Sequence, residues 1–518
     1  MMDKPILNHF YTYDEICEYL TCAQKAYPDL MELKELARTE ENRVIWGITL
    51  SKGDADKMPA LYVQGGIHAQ EGMGITCCLN FLWTVLENPQ ILDKIAIYIL
   101  PCVNPDGSDI CVRTGLDVRS KLEYVPGVTN GLVPQDVDGD GKILFMRWED
   151  PTGFWVSLPE CGDILVPRRP GDKGPFYTMV REGLVENYDG GELRSAYRDL
   201  DFNRQYALDW KDNLNGGDYP TKHVESRTIM SFLSSHPNIY TVLDCHCGTR
   251  GLLYHTPDNL TDSRLMKRLT AMGNAITGMQ VIPHSRYGAR ADGPATVLRG
   301  HIDSYCYDAL GIPSITVELG NGYNSLGMAA FDIFEADLNS RELISKLVAM
   351  HGAKGRKIAE PWKPYHHPQL GDVEVGGKLH GDAYHMDPDE MLDLLPKLAD
   401  YFLQIADLVP ELKLADVTCD ALGGDVYRIR AKVMNISGYN TKIMQGATGY
   451  HANKDGVEVK LAGAHEVLNS VANPRFACLY PMEQKSMEWF VRGNTGVVLT
   501  LKALHPKCIV DECKIILP

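Results

Sequence analysis

The chain has 518 residues, enough for two or three domains that each bury a core. Hydrophobic residues make up 44% and charged residues 23%, the balance of a globular protein rather than a disordered or fibrous one. Lys and Arg number 51 against 68 Asp and Glu, a formal charge of −17, and no basic block offsets it, so nucleic-acid binding has no electrostatic support.

The opening segment MMDKPILNHFYTYDEICEYL has neither the apolar stretch nor the small-residue cleavage site of a secretory signal. No run of ~18 apolar residues predicts a membrane span. The 14 cysteines are scattered, several of them inside apolar runs (Cys77, Cys78, Cys102, Cys245, Cys247), the pattern of reduced core thiols rather than of a disulfide framework. The expected compartment is the cytoplasm, with no membrane partner; export by a non-standard route stays open.

Alternating strands and helices are predicted from the start to about residue 410. A strand at Leu61 to Val63 comes first, and then Ile75, Cys78, Leu79, Leu82, Val85 and Leu86 share one face at helical spacing. Further apolar, β-branched runs lie at Ile95 to Leu100, Tyr240 to Leu243 and Ser314 to Leu319. Such alternation implies an α/β fold with a mainly parallel or mixed sheet covered on both faces. A polar, Gly- and Pro-rich stretch from about 104 to 200 interrupts it, and stretches of that size are usually functional or an insertion. The last helix is expected from about Asp389 to Leu408. After Pro410 come short alternating runs at Val426 to Val433, Val457 to Leu461, Gly496 to Leu501 and Cys508 to Ile516, the pattern of a small antiparallel β-sandwich. The domains read as 1–410 (with an insertion at about 108–197) and 411–518.

Four clusters carry chemistry. Gly65-Gly66-Ile67-His68-Ala69-Gln70-Glu71 follows the first strand, and a His and a Glu three apart at a strand end can turn an imidazole and a carboxylate toward one point. With 16 histidines in the chain, chance alone gives roughly one such pair, so its worth depends on its company. His246, in Leu243-Asp244-Cys245-His246-Cys247-Gly248, also ends a strand; taken alone it reads as a core histidine. The flanking Cys245 and Cys247 are soft ligands too, but alternation along a strand points them away from His246. Two His and one Glu form a catalytic zinc set with one position open. Glu318 ends the apolar Ser314 to Leu319 strand, where a carboxylate is costly unless it has a partner or a task, and a general base beside a metal is such a task. Asn203 and Arg204, in Arg198-Asp199-Leu200-Asp201-Phe202-Asn203-Arg204, offer an amide and a planar fork suited to a carboxylate, or else a solvated charged turn. His68, His246 and Glu318 all fall at carboxyl ends of strands, the edge where open α/β sheets bind ligands.

The order H-x-x-E (68–71), N-P-D-G (104–107), D-x-N-R (201–204), a strand-end His (246) and V-E-L around 318 resembles the zinc metallocarboxypeptidase family. The likeness begins near Tyr11, with Tyr13-Asp14-Glu15-Ile16 and Tyr27-Pro28-Asp29-Leu30, and runs to about residue 350, more loosely to 410. Asp138-Gly139-Asp140-Gly141-Lys142-Ile143, Phe145-Met146-Arg147, His367-Pro368-Gln369-Leu370-Gly371 and Asn435-Ile436-Ser437-Gly438-Tyr439 resemble a bacterial branch with a long insertion and a C-terminal β-sandwich.

The resemblance implies an eight-stranded mixed sheet flanked by helices and one zinc per chain, held by His68, Glu71 and His246. It implies Glu318 as general base and then acid, and Asn203 and Arg204 as the holders of a peptide's free C-terminal carboxylate. The reaction implied is hydrolysis of the C-terminal peptide bond; the alternative is an amidohydrolase acting on N-acyl amino acids or cell-wall peptides. A scaffold without activity is disfavoured, because all four positions are filled. Two features depart from the pattern. The family's Tyr before the catalytic Glu finds no counterpart near Thr296, and the arginine that polarises the scissile carbonyl is Arg113, Arg119 or Arg147. The pocket for the terminal side chain is expected around His301 to Asp303. Separately, Asp136, Asp138 and Asp140, alternating before glycine, suggest a calcium loop or an acidic turn; Arg147 stands where the loop's closing Glu is expected.

Overall fold

In a computed structural model, residues 2–208, 210, 215–286, 299–378, 386–444, 456–463, 465–469 and 471–518 are described. The first two strands, β1 (Met31–Arg38) and β2 (Val44–Leu50), pair antiparallel at one edge of an eight-stranded sheet. The remaining members are β3 (Ala60–Gly65), β4 (Ala96–Leu100), β5 (Ile239–His246), β6 (Arg250–Tyr254), β7 (Gln280–Pro283) and β8 (Ser314–Leu319), in the order β1-β2-β4-β3-β5-β8-β6-β7. The four central strands β4, β3, β5 and β8 are all parallel, while β2 and β6 run antiparallel to their inner neighbours. The sheet is therefore mixed, as the alternation implied.

Both faces are covered. Helices α1 (Tyr13–Ala26), α2 (Gly72–Glu87), α5 (Leu260–Thr277) and α7 (Pro388–Asp407) bury Leu61, Val63, Leu243, Cys245, Ile315 and Val317 on one side. On the other, α4 (Val224–Ser235) and the segment 302–312 bury Tyr62, Tyr98 and Val242. Every residue of β3, β4, β5 and β8 is buried, which explains why these strands read as continuous apolar runs instead of alternating ones. Two shorter helices complete the labelled set, α3 (Pro105–Thr114) and α6 (Arg341–Ala353). No helix among the described residues is long and apolar enough to cross a membrane.

The stretch from 104 to 200 holds more structure than its polar composition suggested. Strands Phe145–Glu149, Trp155–Leu158, Cys161–Pro167 and Phe176–Arg181 join Ala359–His367 and Gly371–Lys378 in a second, six-stranded sheet. Half of its strands carry mixed polar faces, so no apolar period marks them, and two partners lie some 200 residues downstream in sequence. The His367 to Gly371 motif ties this sheet to strand Gly183–Glu186 of a neighbouring three-stranded sheet. The His367 Nε2 donates to the Gly183 carbonyl, and the Gln369 amide group pairs with both main-chain groups of Val185.

After α7, the chain forms two antiparallel four-stranded sheets that share one core. Leu412–Gly423, Val426–Asn435, Gln484–Arg492 and Glu466–Val467 make the first; Val457–Ala462, Val498–Leu504, Asp511–Ile516 and Arg475–Phe476 make the second. Trp489, Ile429, Val459, Leu499 and Leu501 fill the space between them. The Asn435 to Tyr439 motif forms the seam with the eight-stranded sheet. The Asn435 amide donates to the Tyr439 and Leu479 carbonyls, and the buried Tyr439 hydroxyl meets Thr241 Oγ1 on β5 at 2.6 Å.

Candidate active site

The site lies where β3, β5 and β8 end. Cys245 pairs with Gly65, and His246 with Glu318, so the parallel register carries His246 and Glu318 to the same edge. Just past β3 the chain turns through Gly66 (φ +70°) into α2, placing His68 in the turn and Glu71 at the helix start. The close fit of this turn depends on two glycines. A Cβ on Gly65 would meet the Gly74 carbonyl oxygen at 2.5 Å, and one on Gly74 would meet the Cys245 carbonyl oxygen at 2.6 Å.

Three donors converge there. His68 Nδ1 is 2.9 Å from a Glu71 carboxylate oxygen and 3.0 Å from His246 Nδ1; His246 Nδ1 is 3.0 Å from the other Glu71 oxygen. All three side chains are only 2% exposed. The outward-facing ring nitrogens are held as well. His68 Nε2 meets Asp201 at 3.0 Å, and His246 Nε2 meets Asp244 at 2.7 Å. A carboxylate on the far nitrogen fixes each ring's orientation and keeps Nδ1 turned inward.

Electrostatics fit a cation at this point. Burial by itself would raise the Glu71 carboxyl, but His68, His246 and Arg119 hold it well below its ordinary value. Burial opposes a charge on His246, yet Asp244 and Glu71 push its ring well above the usual histidine range. Two Nδ1 atoms 3.0 Å apart repel as lone pairs unless a positive charge lies between them. A metal with imidazole and carboxylate preferences supplies that charge, and the N, N, O donor set matches a catalytic zinc site. All three donor atoms lie within 4.8 Å of one another, close enough to share one ion.

Around the cluster, Glu318 is buried, and burial raises its carboxyl above the ordinary glutamate value while the Gly248 amide donates to it at 2.5 Å. Arg119 spans Glu71 (2.7 Å) and Asp201 (3.2 Å). Asn203 packs its amide 3.4 Å from His246 Nε2 and accepts from the Ile302 amide at 2.9 Å; Arg204 Nη1 donates to the Asn203 carbonyl at 2.7 Å. A small cleft is lined by His68, Arg119, Arg204, His246, His301 and Glu318, together with Asn203, His284 and Asp303. The structure thus brings together every residue singled out for metal, base and carboxylate, and also His301 and Asp303.

Of the three arginines left open by sequence, only Arg119 lines this cleft. Arg113 bonds Asp109 and Asp14, and Arg147 bonds Glu374 between the rings of Tyr177 and Trp362. Thr296 lies outside the described residues. Cys245 and Cys247 pack into the helix-covered core, away from the donors, as alternation required. Asp201 and Asp244 were missed as ring-holding groups. Asp244 had a signal, since two residues before His246 on a strand is the same face.

The calcium reading gains no support. Asp136 and Asp138 group with Glu182, while Asp140 turns to Lys363 at 3.2 Å. The Asp136 carboxylate accepts the Gly139 and Gly141 amides, and Asp138 accepts that of Asp140, so the loop is an acidic turn capped by its own backbone.

Residues 16–123 match a family model described as zinc carboxypeptidase. That stretch is similar to zinc carboxypeptidases. Residues 411–516 match a second model, described as a domain of unknown function. A carboxypeptidase B from Astacus astacus is 33% identical over 190 residues, which cover 34% of this chain and 57% of that protein. A zinc carboxypeptidase A 1 from Anopheles gambiae is 32% identical over 105 residues, 19% of this chain and 24% of that one. The chain therefore spans little more than half the length of the first relative and about a quarter of the second. Among solved structures, carboxypeptidase A from Helicoverpa armigera aligns with a TM-score of 0.40 at 18% identity, covering 67% of this chain and 75% of that one, a likeness too distant to carry an inference.

Proposed function

We propose that the chain is a zinc-dependent carboxypeptidase, with residues 1–410 as its catalytic unit and 411–518 as an accessory β-sandwich. The observation that carries this reading is the convergence of His68 Nδ1, His246 Nδ1 and the Glu71 carboxylate at about 3 Å, next to the buried carboxyl of Glu318. His68, Glu71 and His246 would hold the zinc. When bound, zinc supplies Lewis acidity that makes water a nucleophile near neutral pH and polarises a carbonyl.

The protein's own groups do the rest. Glu318 takes a proton from the attacking water and passes it to the leaving amine, a task suited to a carboxyl raised by burial. The Arg119 guanidinium, anchored by Glu71 and Asp201, supports the charge that develops on the carbonyl oxygen. Asn203 and Arg204 hold the substrate's terminal carboxylate and so demand a free C-terminus. Asp201 and Asp244 keep both rings in register throughout.

The test pairs metal content by mass spectrometry with hydrolysis of blocked dipeptides and N-acyl amino acids, before and after chelation. Chelator-sensitive release of a C-terminal amino acid from peptides, with one zinc fewer per chain in His68→Ala, is the expected result. Zinc with cleavage of N-acyl amino acids alone would favour the amidohydrolase reading, and no zinc in the wild-type protein would end both.

A further inference from the structure

The cleft holds a second set of donors that the reaction above does not use. His284 follows β7, His301 stands just before the short helix Ile302–Ser304, and Asp303 lies within that helix. Each offers a ligand atom within 4.8 Å of the other two. All three share the cleft lining with His68, His246 and Glu318. The rings of His284 and His301 meet edge to face with centroids 4.8 Å apart.

The spacing of the donors resembles that in the first cluster, where His68 Nδ1 lies 2.9 Å from a Glu71 oxygen. Here, His284 Nε2 lies 2.9 Å from Asp303 Oδ2, and His301 Nε2 lies 3.1 Å from Ser304 Oγ. His284 Nδ1 is buried and has no hydrogen-bond partner among the described residues, although the side chain is nine-tenths buried. Asp303, 1% exposed, is fixed from behind by Ser314 Oγ at 2.5 Å and Thr316 Oγ1 at 2.7 Å. Those two hydroxyls hold the carboxylate in place as outer groups do around a metal ligand.

We propose that His284, His301 and Asp303 form a second divalent-cation site in this cleft, of the zinc class. Two imidazoles and one carboxylate select zinc and its first-row neighbours over magnesium or calcium, which prefer all-oxygen sets. Three protein donors leave further positions for water or for a donor on the substrate. The proposal goes beyond the carboxypeptidase reading and does not depend on which bond is cleaved.

The experiment is a count of ions. The full chain is stripped with chelator, equilibrated with micromolar free zinc, and analysed for metal by mass spectrometry, with isothermal titration as a second readout. Wild type is expected to hold two zinc ions per chain, and His284→Ala and His301→Ala one each. His68→Ala should also hold one, at the second site. One zinc in wild type at saturation overturns the proposal, as do two zinc ions retained in both His284→Ala and His301→Ala. The wild-type count decides the matter even if a variant fails to fold. Because His68→Ala removes only the first site and leaves the second to be read, loss of either site is scored separately from the other.

Discussion

The strand-end cleft and the C-terminal sandwich bury their residues for opposite reasons. In the cleft, His68, Glu71, His246, Asp244, Asp201 and Glu318 are all buried; the first five each face a partner of opposite character within about 3 Å, and Glu318 accepts the Gly248 amide. Removing water from such groups costs more than their mutual attraction returns unless the geometry is close to ideal. In the sandwich, Trp489, Ile429, Val433, Val459 and Leu501 bury apolar surface with no charge among them, which is the favourable term in folding. One region spends stability to position chemistry, and the other supplies it. Damage to each should therefore be read by a different instrument.

The largest effect is expected at the cleft. Glu318→Gln keeps the shape of the base and removes its proton chemistry, so turnover should fall roughly 10²- to 10⁴-fold while zinc stays bound. A zinc-loaded variant with ordinary turnover would remove Glu318 from its role. Next comes Trp489→Ala, which empties the sandwich core and should cost about 3–5 kcal/mol of unfolding free energy. Its zinc content should be unchanged in the folded fraction; if zinc is lost along with stability, the two regions are one cooperative unit and the contrast fails.

Smaller still is Asp244→Asn, which keeps a hydrogen bond to His246 but withdraws the negative charge behind the ring. Zinc affinity should weaken about 10- to 100-fold by competition with a chelator, with little change in thermal midpoint. A further effect, read only through its pH dependence, sits at the seam between the regions. Lys507 is buried, donates to the Gly311 carbonyl at 2.9 Å, and is pushed down to about 7 by that burial. The unfolded chain holds this proton up to the ordinary lysine range, so stability contributed here rises with pH from about 7 toward 10.5. Lys507→Met should remove up to about 1.4 kcal/mol per pH unit of that rise, seen as a flatter midpoint across alkaline pH.

Much of the site was legible in advance because its residues sit at marks a sequence shows. His68 with Glu71, His246 and Glu318 each end an apolar run, and strand ends at one sheet edge are where α/β folds place ligands. The sandwich was legible for a related reason: one solvated face leaves a period of two, visible from Val426 to Val433 and again from Val457 to Leu461. The six-stranded sheet was not. Its strands at 145–181 find partners at 359–378, and pairing over such separation leaves no local trace.

The sequence by itself determined which runs read as buried strands, which residues are candidate donors and the likeness to zinc carboxypeptidases, because periodicity and motif spacing are properties of neighbouring residues. Only the tertiary structure decided that Arg119 rather than Arg113 or Arg147 reaches the cleft, that Asp201 and Asp244 hold the two rings, and that His284 meets His301 and Asp303. Those contacts join residues from separate elements, and their distances follow from how the sheet and its loops pack, which no local pattern encodes.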